Sequence, residues 1–545
     1  MNPSKIFMII ALLGIFQVTS AQSYWWIGFT DKRGTTGTIE QPELYLSEKA
    51  LERRNRQGIG IDSTDLPVSP LYLDSIVQSG ASLVHSSRWL NGITVKAVND
   101  SLQQFWSQLG FVRELQKTKP DPSLKQASLK FGEKFTTAAS DTSLYGGSLH
   151  QSALIGADWL HAQGYNGRGL TIAVLDAGFL KANEMPSLQR VYQENRIAGT
   201  RDFVDPHSDF YTTHVHGTMV LSVMAGYLPG SLIGTANEAN YWLLRTEDAG
   251  SEYIIEEDHW VAGAEFADSL GADIINSSLG YYYFDDPATN HSYSDMDGRT
   301  TRVTKAANIA AKKGMLVFAS AGNEANKTWR YIIAPADGEE VIAVGATDRY
   351  GSYASFSSIG PAADGAIKPD LAAMGSAVTV QSSGGATSAA SGTSFASPLL
   401  AGAAASLWQS NPQATASEIK VALINSGHQR THPDVLLGYG IPDMRAASLQ
   451  LNTIAEKGIP VNTAWKIFPN PFTDRLTILP YTGKSESIAI SVFNVKGEIL
   501  FRINQNTGRQ ITDSKLKLLA PGLYLVTVAS KEHSETFRLI KTRQQ

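Results

Sequence analysis

Between residues 151 and 451 the apolar positions follow two spacings in alternation. Short apolar runs at 170–175, 240–245, 272–276 and 315–319 predict strands, the first of them buried on both faces. Between them, apolar residues at helical spacing predict helices from His216 onward (Val220, Val223, Met224), at 254–270, at 303–313 and at 399–408. Strands alternating with helices predict an α/β fold, a parallel sheet with helices on both faces. Ahead of it, residues 22–117 read as a small α+β unit. Its strands are expected at 24–29, 81–86 and 92–98, with a last one beginning at Phe111 and Val112. Its helices are expected at 47–57, 71–79 and 102–109, with Ser47 as N-cap and Leu46 and Leu51 spaced for a hydrophobic staple. The polar stretch 118–150 predicts a linker open to proteolysis. Past residue 460, short strands at 475–479, 488–494, 498–503, 521–527 and 537–541 predict a small β-sandwich.

Composition narrows the class. A chain of 545 residues suggests roughly three to four domains. A net charge of −5 offers no basic footprint for nucleic acid. The absence of cysteine excludes a disulfide framework, a thiol nucleophile and a Cys-ligated metal. Lys5, an apolar core at 6–16 and the small residues Thr19, Ser20 and Ala21 predict a secretory signal peptide over 1–21, cut after Ala21. No later stretch reaches membrane-spanning length, so a mature protein without a transmembrane segment is expected.

Candidate chemistry sits at the ends of the predicted strands. Asp176, in Asp176-Ala177-Gly178, closes one strand, and the carboxyl ends of strands are where open α/β sheets place functional groups. His216 opens a helix. His214 and His216 lack the i, i+4 spacing of a helical zinc site. Asn323 follows another strand beside Gly322, as a turn-former or as a donor into a cleft. Ser394 lies in Gly392-Thr393-Ser394-Phe395-Ala396-Ser397-Pro398, between a small-residue run at 382–391, read as flexible, and an apolar helix. A serine there is either a helix cap or a nucleophile whose oxyanion meets free backbone N–H groups. The acids Glu256, Glu257 and Asp258 suit the positive end of their helix. Asp295 and Asp297 are a minor candidate for structural calcium, without the rest of an EF-hand loop.

Together these pieces resemble the subtilisin-like serine peptidases, whose motifs run in the order Asp, His, Ser. Asp176-Ala177-Gly178 resembles the Asp motif, with Ala where Thr or Ser is usual. His216-Gly217-Thr218 resembles the His motif, and the stretch around Ser394 the Ser motif, with Phe395 where Met is commonest. The resemblance implies a triad of Asp176, His216 and Ser394, an oxyanion donor in Asn323, and a substrate-pairing edge at Ser278, Leu279 and Gly280, with 281–283 as an aromatic wall. It implies little loss from the missing hydroxyl at Ala177, and no role for His214. The α/β-hydrolases are excluded by Ala396 and by chain order.

Leu46-Ser47, Ala50-Leu51, Arg53-Arg54 and Trp89-Leu90-Asn91 make the first unit resemble propeptides of a Bacteroidota subtilase group. Pro469-Asn470-Pro471 and Leu539-Ile540-Lys541 make the tail resemble a type IX secretion sorting domain. The expected organisation is a signal peptide (1–21), a propeptide (22–117), a linker with the activating cut (118–150), a catalytic domain (151–451) and a sorting domain (460–545). The expected function is a secreted serine endopeptidase acting on protein or peptide substrates, made as a zymogen that needs no cofactor. Its partners are the type IX machinery and no nucleic acid. The competing class is a catalytically inactive subtilase fold used for binding at the cell surface.

Overall fold

Strand β1 (Ser23–Phe29) is the centre of an antiparallel sheet ordered β2-β3-β1-β4, with β2 at Ala81–Ser87, β3 at Gly92–Ala97 and β4 at Val112–Lys119. The chain is described here from a computed structural model, over residues 22–120, 144–456 and most of 465–542. The signal peptide, residues 121–143 of the linker and the Pro469-Asn470-Pro471 motif lie outside the described residues. Helices α1 (Glu48–Arg56), α2 (Pro70–Gln78) and α3 (Leu102–Trp106) complete this first layer. Ser47 caps α1, its side chain accepting from the Ala50 N–H at 3.2 Å. Helix α3 ends short of the expected 109, because the backbone closes into turns before Gly110. Asn91, at a φ of 53°, turns the chain between β2 and β3, and its amide donates to the carbonyls of Phe29 and Asp31. Asparagine tolerates that left-handed conformation better than most residues.

The middle of the chain forms a seven-stranded sheet, parallel at each described pairing. Its strands are β5 (Thr171–Asp176), β6 (Ile197–Asp202), β7 (Asn240–Arg245), β8 (Ile274–Ser277), β9 (Leu316–Ser320), β10 (Ile342–Thr347) and β11 (Leu371–Met374). They lie in the order β11-β10-β9-β8-β5-β7-β6. Successive side chains of β5 serve opposite cores, since strand residues alternate faces. Ile172 and Val174 meet α4 (His216–Ala225) and α7 (Thr393–Ser410) in one apolar cluster. Ala173 and Leu175 meet α5 (Ile255–Ser269) and α6 (Arg302–Lys312) in the other. This two-sided burial is why the strand positions read as unbroken apolar runs. The small-residue stretch at 382–391, expected to be flexible, instead contributes β13 (Thr387–Ala390) to a hairpin with β12 (Val378–Gln381). Four backbone pairs fix the segment.

Chain contacts separate residues 1–453 from 454–545. Within the second unit, strands Trp465–Phe468, Leu476–Pro480 and Gln510–Ile511 form one sheet, and Ser487–Phe493, Ile499–Asn506, Gly522–Ala529 and Ser534–Lys541 another. Trp465 and Ile478 of the first share a core with Ile490 and Val526 of the second, as expected of a sandwich.

In the first unit the N-terminal sheet rests on α5 and α6 through charge. Asp268 is fully buried and accepts from Arg53 at 2.5 Å, Arg54 at 2.7 Å and Arg88 at 2.9 Å. One turn earlier, Glu265 accepts from the Ser87 hydroxyl and from the backbone N–H groups of Arg88 and Trp89. Asp258, read from sequence as a helix-dipole partner, binds Thr94 across the contact and Arg302 on its own side. Burial opposes a charged Asp268, but the three guanidinium groups hold its carboxyl below the usual carboxylate range. Removing one partner from such a cluster strands buried charge, which costs about 3–5 kcal/mol. Asp268→Asn should lower the stability of the uncut chain by that amount in urea unfolding. A change within about 0.5 kcal/mol, the range of an ordinary surface substitution, would show that the charges are dispensable.

Candidate active site

The carboxyl ends of β5, β8 and β9 and the first turns of α4 and α7 converge on one face of the sheet. Asp176 is the last residue of β5 and fully buried. Its Oδ1 accepts from the Ala177 N–H at 2.8 Å and is paired with His216 Nδ1 at 2.7 Å. Its Oδ2 is buried without a hydrogen-bond partner among the described residues. His216 opens α4 and is 1% exposed, so the pair is shielded from water. The neighbouring His214 accepts from the His216 N–H, and burial, then the nearby His216, hold its imidazole below the ordinary histidine value. His214 is therefore tied to the site's backbone.

Gly217 is what lets α4 come this close. A Cβ there would press on the Gly178 carbonyl oxygen, stand 2.9 Å from the Phe179 ring and 3.0 Å from Asp176 Cβ.

Ser394 lies in the first turn of α7, after Gly392 and Thr393. Its carbonyl accepts from the Ser278 hydroxyl at 2.8 Å, joining α7 to the end of β8. The ring of Phe395, the next residue, is centred 6.0 Å from that of His216, which sets the helix start beside the imidazole. Asn323 follows β9. Its Oδ1 accepts from the Thr393 N–H at 2.9 Å and from the Thr393 hydroxyl at 3.1 Å. An amide whose oxygen is held in this way has its two N–H donors left for another acceptor.

Ser278, Leu279, Gly280, Asn323, Thr393 and Ser394 line one cavity of about 290 Å³. Sequence reading gave a role to all of these except Thr393, which it named only within the motif and which holds the Asn323 amide oxygen. It also missed Glu247, Glu252 and Glu324 in the same walls. Glu324 directly follows Asn323, and Glu247 lies two residues past the end of β7, a strand-end position that could have drawn attention to it. Tyr282 and Tyr283 form part of the expected aromatic wall, but Tyr281 is fully buried, its hydroxyl donating to Glu247 at 2.9 Å. The calcium candidates Asp295 and Asp297 accept from local donors of Ser292, Arg299 and Thr300. Glu247, Glu252 and Glu256 offer carboxylate oxygens within 4.8 Å of one another, closer to what a hard cation needs.

Residues 167–440 match the Subtilase family, Peptidase S8, over half of the chain, and the chain belongs to that family. Residues 24–131 match the Peptidase S8 propeptide domain of Bacteroidota, and 466–542 the secretion system C-terminal sorting domain. Subtilisin DY of Bacillus licheniformis is 29% identical over 302 residues, 54% of this chain and 96% of its own. Subtilisin NAT of Bacillus subtilis subsp. natto is 30% identical over 277 residues, 49% and 62% respectively. A thermophilic serine proteinase of Bacillus sp. (strain AK1) is 32% identical over 242 residues, 44% and 52%. The match thus spans nearly all of the first relative and less than two thirds of the other two. The protein is a subtilisin-like serine endopeptidase. Its type IX sorting domain marks it for export, to be secreted or attached to the cell surface. Among the described residues, no helix is long and apolar enough to cross a membrane.

The close approach at Gly217 is open to test. Gly217→Ala forces α4 away from the end of β5, and overpacking of this kind costs about 1–3 kcal/mol. The melting temperature of the uncut variant should fall accordingly. An unchanged value would mean that α4 has room to spare.

Proposed function

We propose that Ser394 is the nucleophile of this endopeptidase, His216 its general base and Asp176 the group that orients the base. The observation that carries this reading is the buried 2.7 Å contact between Asp176 and His216, set beside a serine at the start of a helix. Asp176 accepts from Nδ1, so that ring nitrogen keeps its proton and Nε2 is left with a lone pair for the Ser394 hydroxyl. Ser394 Oγ then attacks the substrate carbonyl. His216 takes the hydroxyl proton and returns it to the leaving amine, giving an acyl-enzyme. Water attacks the acyl carbon by the same route in reverse, with His216 again as base. The imidazolium that forms in each half is stabilised by the Asp176 carboxylate.

The developing oxyanion is assigned to the Asn323 side-chain amide and the Ser394 backbone N–H. Thr393 supports the first by holding Oδ1 from two directions, so the donor is oriented before substrate arrives. Residues 278–280 are assigned to pair with the substrate backbone along one wall of the cavity. No step of this chemistry calls for a metal or a thiol.

The zymogen organisation belongs to the same proposal: a signal peptide at 1–21, a propeptide at 22–117, a cut within 118–150, a catalytic domain at 151–451 and a sorting domain at 460–545. The propeptide lies on α5 and α6 rather than across the cavity. Strand β4 runs on past residue 117 and brings Lys119 Nζ to 3.6 Å from Asp248, the residue after Glu247 of the cavity wall. The sorting machinery of type IX secretion is the proposed partner for the tail.

A fluorophosphonate probe should label Ser394 of the processed protein, as read by peptide mapping. Processed protein that stays unlabelled there would favour the inactive binding protein instead. In the same protein, Asn323→Ala should lower kcat by about 100- to 1,000-fold, the loss measured on removing such a donor from a subtilisin. A kcat within about threefold of the parent would remove Asn323 from the oxyanion site, since the whole loss of a donor is far larger.

A further inference from the structure

The cavity beside Ser394 carries a charge that peptide hydrolysis does not need. Four carboxyl side chains, Glu247, Glu252, Asp285 and Glu324, line its volume of about 290 Å³ together with one lysine, Lys327. Glu324 is 6% exposed, and it follows Asn323, so its carboxylate sits in the wall next to the assigned oxyanion donor. Its Oε2 accepts from the Tyr282 hydroxyl at 2.8 Å and its Oε1 from Lys327 Nζ at 2.9 Å. The Lys327 side chain is 59% exposed, and an ion pair so open to water is weak and readily exchanged for another cation. Glu247, buried and lining the same cavity, accepts from the Tyr281 hydroxyl at 2.9 Å. The phenols of Tyr281 and Tyr282 are both pushed up, by burial first and then by Glu247 and Glu324 respectively.

A second observation comes from the chain's own N-terminal unit. Lys119, the last residue of β4, stands 3.6 Å from Asp248 and 5.4 Å from the centre of the Tyr253 ring. The loop that bears Glu247 and Glu252 is thus already met by a lysine, on the stretch of chain that runs on toward the cut. A carboxylate wall beside the assigned nucleophile selects its occupant by charge, because an acidic side chain there would meet like charge.

We propose that this endopeptidase selects substrates with a lysine or arginine on the acyl side of the scissile bond, held in this cavity by Glu324 and Glu247. The inference rests on the assignment of Ser394 as nucleophile. An extended peptide paired with 278–280, with its carbonyl at Ser394 and Asn323, has the acyl-side residue entering the space between these segments. Arginine suits the site through its fork of donors, lysine as a point charge.

The test uses the full chain, expressed and allowed to mature, with active sites counted by fluorophosphonate labelling of Ser394. Peptides identical except for Arg, Lys, Leu, Phe or Glu on the acyl side are then compared by kcat/KM, in chelator and in added calcium. The expected result is a preference for Arg and Lys of about tenfold or more over Leu and Phe, with Glu the poorest, weakening as salt rises. Glu324→Gln should cut the ratio of Arg to Leu turnover by about tenfold, and Glu247→Gln supplies an independent variant should the first fail to fold. Labelled enzyme that cleaves Leu or Phe peptides as well as Arg peptides overturns this inference and leaves the nucleophile assignment standing. So does a basic preference that calcium erases, since the acids then belong to the ion. Protein in which Ser394 takes no label overturns both.

Discussion

The contact between Asp176 and His216 is the constraint on which the rest of the site depends. Asp176 is placed by β5, a strand buried on both faces, and its Oδ1 is fixed by the Ala177 N–H as well as by the imidazole. His216 reaches it only because Gly217 lets α4 press against the turn after β5. In that enclosed setting a single carboxylate determines which imidazole nitrogen carries the proton, and therefore which one is left with a lone pair. Asn323 is set by the same logic from the other side, through Thr393 at the start of α7. Two helix starts and three strand ends are brought to one place by the parallel sheet, whose carboxyl edge is where such groups collect.

The N-terminal sheet shows how a separable unit is held without a large shared apolar core. Its arginines converge on Asp268, and its β2–β3 turn is capped by Glu265. Both acids stay buried only while the sheet is in place to satisfy them. Charges so placed give a contact of defined register.

Much of this was legible in the sequence, for physical reasons that differ by element. Four of the seven strands of the parallel sheet, β5, β7, β8 and β9, were clear because burial between two layers of helices demands apolar runs, while β6, β10 and β11 were not read; Asp176, His216, Asn323 and Ser394 stood at strand ends or at helix starts. The cap at Ser47 was readable because capping is local chemistry. The hairpin at 378–390 was not, since Ser, Gly and Ala carry little periodicity and the pairing is set by neighbours distant in sequence. Glu256, Glu257 and Asp258 looked like generic partners of a helix dipole. Only the fold shows Asp258 bonded to Thr94 of the docked sheet and Glu257 to His291. The acidic walls of the cavity were hidden for the same reason, being assembled from loops far apart in the chain.

A crystal structure of the protein after reaction with a fluorophosphonate tests the central claim most directly. The account predicts phosphorus bonded to Ser394 Oγ and its phosphoryl oxygen accepting from both Asn323 Nδ2 and the Ser394 N–H. The Asp176–His216 hydrogen bond should remain intact beside it. A phosphoryl oxygen turned away from Asn323, or an adduct on any other residue, would contradict it.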